Sequence, residues 1–182
     1  MEKEVAFDYD AVFDVDDYMY FYSEFLIDYR HADMRDLDLE GEFDLVLMVF
    51  TVFGYFTDEV NLRVLENAAR ALKPGGRLVI DSPNRDVVMK DFHSHHVTEK
   101  EGNLMIDRNH FDSITGRLYN RRIVIREGIR RDKPFFVRLY NPSEIRGLLN
   151  KVGLVLETLL GGYDGQPVSP DARRMVVVAQ KP

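Results

Sequence analysis

The stretch FDLVLMVF at residues 43–50 decides the fold, because it is a nearly continuous apolar run. Such a run predicts a strand buried on both faces, which is typical of a parallel sheet covered by helices. Residues 58–72 carry apolar side chains at helical spacing, and KPGG at 73–76 is expected to end that helix. RLVID at 77–81 predicts the next strand. Together these segments predict one right-handed βαβ unit.

The pattern changes after this unit. Strand-like segments joined by turn-rich residues predict an antiparallel insertion over 102–140, with strands at 104–111, 117–126 and 134–140. The sequence NPSE at 141–144 predicts the start of a helix that runs to about Lys151. Segments 154–160 and 175–179 are expected to complete the main sheet as an antiparallel pair.

The beginning of the chain is both aromatic and acidic. A short amphipathic helix is predicted over 16–26 from four aromatic residues at helical spacing: Tyr18, Phe21, Tyr22 and Phe25. Residues 27–32 are expected to form a short strand. With 182 residues, the chain is long enough for one domain and short for two. We therefore expect a single domain over 1–182, with an aromatic N-terminal segment at 1–26.

The composition is that of a globular protein, with 45% hydrophobic and 30% charged residues. No apolar run approaches the roughly 20 residues of a membrane span, and the opening MEKE does not resemble a signal peptide. The absence of cysteine excludes disulfides, thiolate catalysis and cysteine zinc sites. These features lead us to expect a cytoplasmic protein that does not contact membranes.

The formal net charge of −7 disfavours bulk nucleic-acid binding, which depends on attraction to phosphates. Seven basic residues are nevertheless concentrated between positions 117 and 133. This cluster has two interpretations: a local patch that meets an anionic substrate or partner, or the solvated face of a hairpin.

Three stretches resemble the class I S-adenosylmethionine-dependent methyltransferases, particularly small-molecule enzymes with an inserted antiparallel sheet: HADMRDL at 31–37, FDLVLMVFTVFGYF at 43–56 and AARALKPGGRLVID at 68–81. YDG at 163–165 and RRMVV at 173–177 also look like this family. The resemblance covers about residues 27–182. It implies an α/β fold with a Rossmann-like sheet, and S-adenosylmethionine as the cofactor.

One element of the family is missing from the sequence. The family's main cofactor-binding element is a strand followed by a glycine-rich turn, and an acidic residue after the next strand holds the ribose. The first 42 residues contain a single glycine, Gly41, and match neither feature. The expected fold is therefore an incomplete Rossmann-like methyltransferase sheet, and the expected cofactor binding is weak or dependent on a partner.

The resemblance also implies residues for the cofactor site. Asp33 would accept a hydrogen bond from the adenine amine, and the backbone of Met34 would face the adenine ring. Tyr9 resembles a tyrosine that lies over the cofactor. For Asp33 the alternative is a turn cap.

The residues after the strand at 43–50 fall where the family places groups that line the methyl-transfer site. Phe50 and Thr51 are accordingly expected to contact the cofactor, and Phe53 and Tyr55 the substrate. The alternative for all four is loop packing. No residue is assigned as catalytic.

Two other features carry less chemistry. The segment HSHH at 93–96 offers metal-ligating side chains, but its spacing and surroundings favour a polar loop, and we expect no metal site. Asp81 has no basic partner nearby in the sequence, so we expect it to close its strand.

Two functional hypotheses remain open. The first is an S-adenosylmethionine-dependent methyltransferase acting on a small molecule, with catalysis by positioning of the reactants. The second is a catalytically inactive, methyltransferase-like binding or assembly module, which the missing glycine-rich turn favours. In both cases the apolar strand at 43–50 would present an uncovered edge, so we expect a homodimer or a higher homo-oligomer.

Overall fold

The computed structural model describes residues 30–182, which form two four-stranded sheets and three helices. The elements in chain order are β1 (Phe43–Met48), α1 (Asp58–Ala71), β2 (Leu72–Pro83), α2 (Arg85–Lys90), β3 (His95–Lys100), β4 (Asn103–Asp112), β5 (Arg117–Arg126), β6 (Ile129–Arg138), α3 (Pro142–Lys151), β7 (Val155–Leu160) and β8 (Arg174–Gln180). The main sheet has the order β1-β2-β8-β7, and the insertion sheet has the order β3-β4-β5-β6. Within the described range, no helix is long and apolar enough to cross a membrane.

The predicted βαβ unit is present. Strands β1 and β2 pair in parallel, and α1 connects them. Helix α1 begins after Thr57, whose side chain accepts a hydrogen bond from the Val60 N–H at 3.4 Å. It ends at Ala71, so KPGG at 73–76 lies inside β2, where the pairing with β1 shifts register.

The hydrophobic core lies between the main sheet and the two longer helices. Side chains of α1 and α3 pack with alternate residues of β1, β2 and β8, and the most deeply buried include Leu65, Leu72, Leu78, Ile80, Leu149 and Val177. The predicted start of α3 is confirmed by a capping box, in which Asn141 and Glu144 each accept a hydrogen bond from the other's backbone N–H. The predicted antiparallel pairing of the last two strands is also confirmed.

Strand β1 is not buried on both faces, so that expectation is wrong. Three of its apolar side chains lie on one face and are 41%, 49% and 56% exposed: Phe43, Leu45 and Leu47. The reason is that β1 is an edge strand, which pairs only with β2 among residues 30–182. The apolar sequence is that of a central strand, but its place in this sheet is at the edge.

The predictions for the start of the chain can be compared with the structure only from residue 30 onward. Residues 30–32 have no strand structure, so this part of the predicted strand at 27–32 is wrong. Residues 27–29, the predicted helix at 16–26 and Tyr9 lie outside the described residues.

The insertion is larger than the sequence predicted. It has four strands and begins at His95 rather than at residue 102. The expected polar loop at 93–96 therefore includes the first two residues of β3. This strand, HHVTEK, is exposed at every position. Its sequence therefore lacks the alternation of apolar and polar residues from which a strand is predicted.

Arg138, at the end of β6, joins the insertion sheet to the main sheet. Its guanidinium forms ion pairs with Glu144 on α3 and Asp58 on α1, and its backbone N–H donates to the Gly54 carbonyl at 2.8 Å. Its guanidinium also lies 4.5 Å from the centroid of the Tyr140 ring, whose hydroxyl donates to Asp58 at 2.8 Å. These contacts fix the insertion sheet against the loop that follows β1.

We predict that Gly54→Ala destabilises the protein by about 3 kcal/mol, because backbone strain and a steric clash both act there. Gly54 has φ of +108°, and a Cβ would lie 2.8 Å from the Arg138 carbonyl oxygen. The control is Gly102→Ala, where φ is +76° but no atom lies within 4 Å of the added Cβ, so a loss of about 1 kcal/mol is expected. Urea unfolding measures both variants, and equal losses would contradict the proposed close approach.

Candidate functional site

The carboxyl ends of β1 and β2 meet at one edge of the main sheet, which is where open α/β sheets bind their ligands. Three parts of the chain converge there: the loop at 49–56 after β1, Asp81 near the end of β2, and Arg174 at the start of β8. We refer to this region as the catalytic edge.

The loop after β1 opens with two strained residues. Phe50 and Thr51 have φ values of +59° and +65°, in the left-handed region that side chains other than glycine rarely adopt. A β-branched residue such as Thr51 is especially unusual there. The Phe50 side chain is 78% exposed. Strain of this kind persists only where surrounding contacts impose it, and it is found most often at functional sites.

Asp81 and Arg174 impose this conformation. The Asp81 carboxylate accepts a hydrogen bond from the Phe50 N–H at 3.0 Å, and the Asp81 carbonyl accepts one from the Thr51 N–H at 3.2 Å. Arg174 donates to Asp81 at 2.7 Å through Nε and to the Thr51 hydroxyl at 3.2 Å through Nη2. Asp81 is 1% exposed, so its charge is compensated within the protein.

The surroundings keep Asp81 ionised. Burial raises the pKa of its carboxyl. Hydrogen bonds from Arg174, the Tyr163 hydroxyl and the Phe50 N–H lower the pKa by more than burial raises it, so the pKa lies below the ordinary 3.8. The same hydrogen bond to Asp81 raises the pKa of Tyr163. The expectation that Asp81 merely closes its strand is therefore too narrow, since it also anchors the turn after β1.

Asp33 lies in a short turn between the N-terminal region and β1. Its carboxylate accepts hydrogen bonds from the Arg35 N–H at 2.9 Å and from the Arg35 guanidinium at 2.6 Å and 3.0 Å. Hydrogen bonds from Arg35 lower the pKa of Asp33 to about 2. The turn-cap alternative describes these contacts, and the contact with adenine stays a prediction.

The turn at 33–36 is fixed to its surroundings at two points. The Asn67 side chain on α1 donates to the carbonyls of Met34 and Arg35 at 3.1 Å and 3.0 Å. The Arg35 guanidinium lies 5.0 Å from the centroid of the Phe56 ring. The structure therefore brings Arg35, the partner of Asp33, into contact with the end of the loop at 49–56. A shared cofactor site with that loop stays a prediction. Tyr9 lies outside the described residues.

The two predicted substrate residues lie in different environments. Phe53 is 3% exposed and stacks on Tyr140, with ring centroids 5.5 Å apart, so it belongs to the core. The loop-packing alternative describes these contacts, and the expected role of Phe53 in substrate binding stays a prediction. Tyr55 is half-buried and lies 6.1 Å, between ring centroids, from Phe135 on the insertion sheet. Tyr55 thus joins the loop at 49–56 to the insertion sheet.

The histidine-rich segment has no metal-binding geometry. Across residues 30–182, no three His, Cys, Asp or Glu side chains are close enough to hold a metal ion. His93 bonds to the Asp91 carbonyl and His95 to the Ser94 hydroxyl, and both histidines are exposed.

Comparisons with known proteins show which proteins this fold resembles. Residues 17–76 match the family model described as a methyltransferase domain. A structure of an S-adenosylmethionine-dependent methyltransferase from Clostridium acetobutylicum ATCC 824 superposes with a TM-score of 0.78 at 16% identity, covering 91% of this chain and 70% of that one. The CcbJ methyltransferase from Streptomyces caelestis gives a TM-score of 0.71 at 20% identity, with 82% and 62% covered.

The sugar N-methyltransferase KedS8 from Streptoalloteichus sp. ATCC 53650 is 27% identical, with a TM-score of 0.61 and 82% and 60% of the two chains covered. None of the curated proteins matches the sequence. The fold is that of the S-adenosylmethionine-dependent methyltransferases. The chain spans less than two thirds of the length of CcbJ and KedS8.

We predict that Asp81→Asn destabilises the protein by about 3 kcal/mol at pH 7, because it leaves Arg174 without its buried partner. Since the folded pKa of Asp81 lies below 3.8, the stabilising contribution of the carboxylate is fully present above that pH and is lost as the pH falls through the folded pKa. The difference in unfolding free energy between the wild type and Asp81→Asn should therefore shrink below about pH 4.

Urea unfolding of both proteins from pH 7 to pH 3 tests this prediction. Asp171→Asn is the control, because Asp171 forms an exposed ion pair with Lys90 and should matter little at any pH. A penalty for Asp81→Asn that stays constant down to pH 3 would contradict the assignment.

Proposed function

We propose that the protein is an S-adenosylmethionine-dependent methyltransferase that acts on a small molecule. The observation that carries this proposal is the strained turn at Phe50 and Thr51, held by buried charges at the catalytic edge of a methyltransferase fold. A turn fixed in this way holds backbone groups and the exposed Phe50 ring in one arrangement. Methyl transfer to a nucleophile depends mainly on holding the two reactants in line, so such rigidity suits the reaction.

We propose that the small acceptor binds beside Tyr55. The rings of Tyr55 and Phe135 form an aromatic wall between the loop at 49–56 and the insertion sheet. KedS8, one of the similar structures, is described as a sugar N-methyltransferase, which is also an enzyme with a small acceptor. The net charge of −7 argues against a nucleic acid as the acceptor, and the cysteine-free sequence fits a cytoplasmic location.

The cofactor site is incomplete in sequence. The first 42 residues contain one glycine, so the turn that lets a backbone approach the cofactor closely is missing. The loss of two or three good hydrogen bonds, at about 1.5 kcal/mol each, lowers the affinity by two to three decades. We therefore propose weak cofactor binding by a lone chain, with a second copy needed for tight binding.

The missing glycine-rich turn also supports a second candidate function, a catalytically inactive binding or assembly module. The catalytic edge would then be retained as a structural feature without a cofactor. The two candidates differ in one property, which is binding of S-adenosylmethionine.

Calorimetric titration with S-adenosylmethionine tests the proposal. For the lone chain, obtained as the Leu45→Lys variant, we expect a dissociation constant above the micromolar range. Asp33→Ala should bind about tenfold more weakly than the wild type, from the lost hydrogen bond to adenine. The melting temperature of Asp33→Ala should change little, because exposed substitutions cost less than about 0.5 kcal/mol. Asp38→Ala is a matched control, since Asp38 is exposed in the same connection and lies 3.9 Å from its nearest cation, Arg70.

Each outcome of the titration separates the alternatives. A tight one-to-one complex with monomeric protein would contradict the incomplete site. Unchanged binding with a large fall in melting temperature would make Asp33 a turn cap. The absence of any binding would favour the assembly module.

We also propose that a second copy of the chain covers the free edge of β1. Within residues 30–182 this edge has no strand beside it, and the exposed side chains of Phe43, Leu45 and Leu47 follow it. An apolar groove of 260 Å³ lies between β1, α1 and the 34–39 connection, and its lining includes Met34 and Leu45. An apolar edge with unpaired backbone groups associates with another strand unless it is covered. A two-fold pairing would cover both copies at once.

Light scattering at low micromolar concentration should give twice the chain mass of 21.2 kDa, or a higher multiple. Leu45→Lys should shift the protein towards the monomer, because a charge on an edge strand opposes strand pairing. Val155→Lys is the control, since Val155 is 55% exposed on the opposite edge strand, β7. A folded wild-type monomer, or dissociation by Val155→Lys alone, would contradict association through β1.

A further inference from the structure

Strands β5 and β6 of the insertion carry a cationic trough on one face. Side chains alternate between the faces of a sheet, so every second residue of β5 and β6 lies on this face. In the observed register, Arg122 lies opposite Lys133, Val124 opposite Arg131, and Arg126 opposite Ile129. These six residues and Glu127, from the connecting turn, line a concave volume of 380 Å³. Four of the seven lining residues are basic and one is acidic.

Three of these four cations lack a carboxylate partner. Arg122 is neutralised by Asp107, at 2.8 Å and 3.1 Å. Arg126 and Arg131 are exposed and form no ion pair with any residue between 30 and 182. The Lys133 ammonium is buried and has no hydrogen-bond partner in the same part of the chain. A buried ammonium without a partner is costly, so its position indicates an anion that binds there.

The opposite face of the same strands is different. Arg130 and Arg121 both bond to Asp132 between them, at 3.1 Å and 3.4 Å. Within residues 30–182, Asp132 thus compensates part of the charge on the opposite face, where Arg117 also lies. In the trough, Arg126, Arg131 and Lys133 have no carboxylate partner in that range. A hairpin that needed only solubility would not be expected to collect its unpaired cations on one concave face.

The trough is continuous with the aromatic wall beside the catalytic edge. The Arg122 guanidinium lies 5.6 Å from the centroid of the Phe135 ring, and Phe135 lies next to Tyr55. Arg122 therefore belongs to the trough and also packs against the wall of the acceptor space. A ligand seated in the trough would extend towards the loop at 49–56.

We propose that the trough binds the anionic group of the methyl acceptor, which is a small molecule that carries phosphate or carboxylate groups. Guanidinium groups bind both anions through paired hydrogen bonds, and the Lys133 ammonium supplies a point charge at the buried end. This inference rests on the proposed function for the identity of the ligand as acceptor. Binding of the anion itself does not depend on methyl transfer.

The experiment uses the full chain and two probes, inorganic pyrophosphate and citrate, each titrated by calorimetry at constant ionic strength. Binding of at least one probe in the millimolar range or tighter is expected, and the stronger probe identifies the phosphate or the carboxylate class. Lys133→Met and Arg131→Gln should each weaken that binding by about fivefold or more, because each removes a charge-assisted contact. The control is Arg130→Gln, which removes the same charge from the opposite face and should change binding by less than about twofold.

Three results would overturn the proposal. They are no binding of either probe, equal weakening by Arg130→Gln, and much tighter binding of a single-stranded RNA oligonucleotide than of either small anion. Arg131 is exposed, so Arg131→Gln keeps the test valid if Lys133→Met fails to fold. Titration of the same variants with S-adenosylmethionine separates the anion site from the proposed methyltransferase function. A variant that loses anion binding but keeps its cofactor binding has changed the trough alone.

Discussion

The buried ion pair between Asp81 and Arg174 is the interaction on which the catalytic edge depends. It joins the loop after β1, the end of β2 and the start of β8 through four hydrogen bonds. Two left-handed residues, Phe50 and Thr51, cost roughly 1–2 kcal/mol each. Leaving a buried charge without its partners costs about 3–5 kcal/mol, and releasing the turn would take hydrogen bonds from the buried Asp81. The strain therefore persists as long as Asp81 and Arg174 are paired. The rigidity of the edge is therefore a consequence of one compensated charge.

The position of this pair explains how an incomplete sheet keeps an ordered catalytic edge. In a complete sheet of this type, β1 would have strands on both sides. Here it has β2 on one side only, among the described residues. The contacts that hold Phe50 and Thr51 all come from that side, from Asp81 and Arg174. Among the described residues, the strained turn therefore depends on no strand at the other edge of β1.

The sequence was informative where the signal is local and less so where it is not. The spacing of apolar residues predicts α1, and NPSE predicts a capped helix, because both patterns depend on neighbours within one or two turns. The apolar run at 43–50 predicted the strand correctly but not its exposure, since burial depends on strands elsewhere in the sheet. Asp81 and Arg174 are 93 positions apart, so no local pattern joins them. Likewise, Phe53 and Tyr55 differ by two positions, and the sequence gives no reason to bury one ring in the core and to place the other against Phe135 of the insertion sheet.

The net charge of the whole chain bears on which anions the cationic trough can attract. A protein with a net charge of −7 repels anions at long range, so it attracts them only where uncompensated cations lie close together. At physiological ionic strength screening limits such attraction to about 8 Å, a distance that the paired strands β5 and β6 span with their side chains. The overall negative charge therefore opposes extended polyanions, which must approach a large surface, more than it opposes a small anion that enters one trough. Under the proposed function, the main sheet holds the reacting groups, and the insertion sheet binds the anionic group of the acceptor.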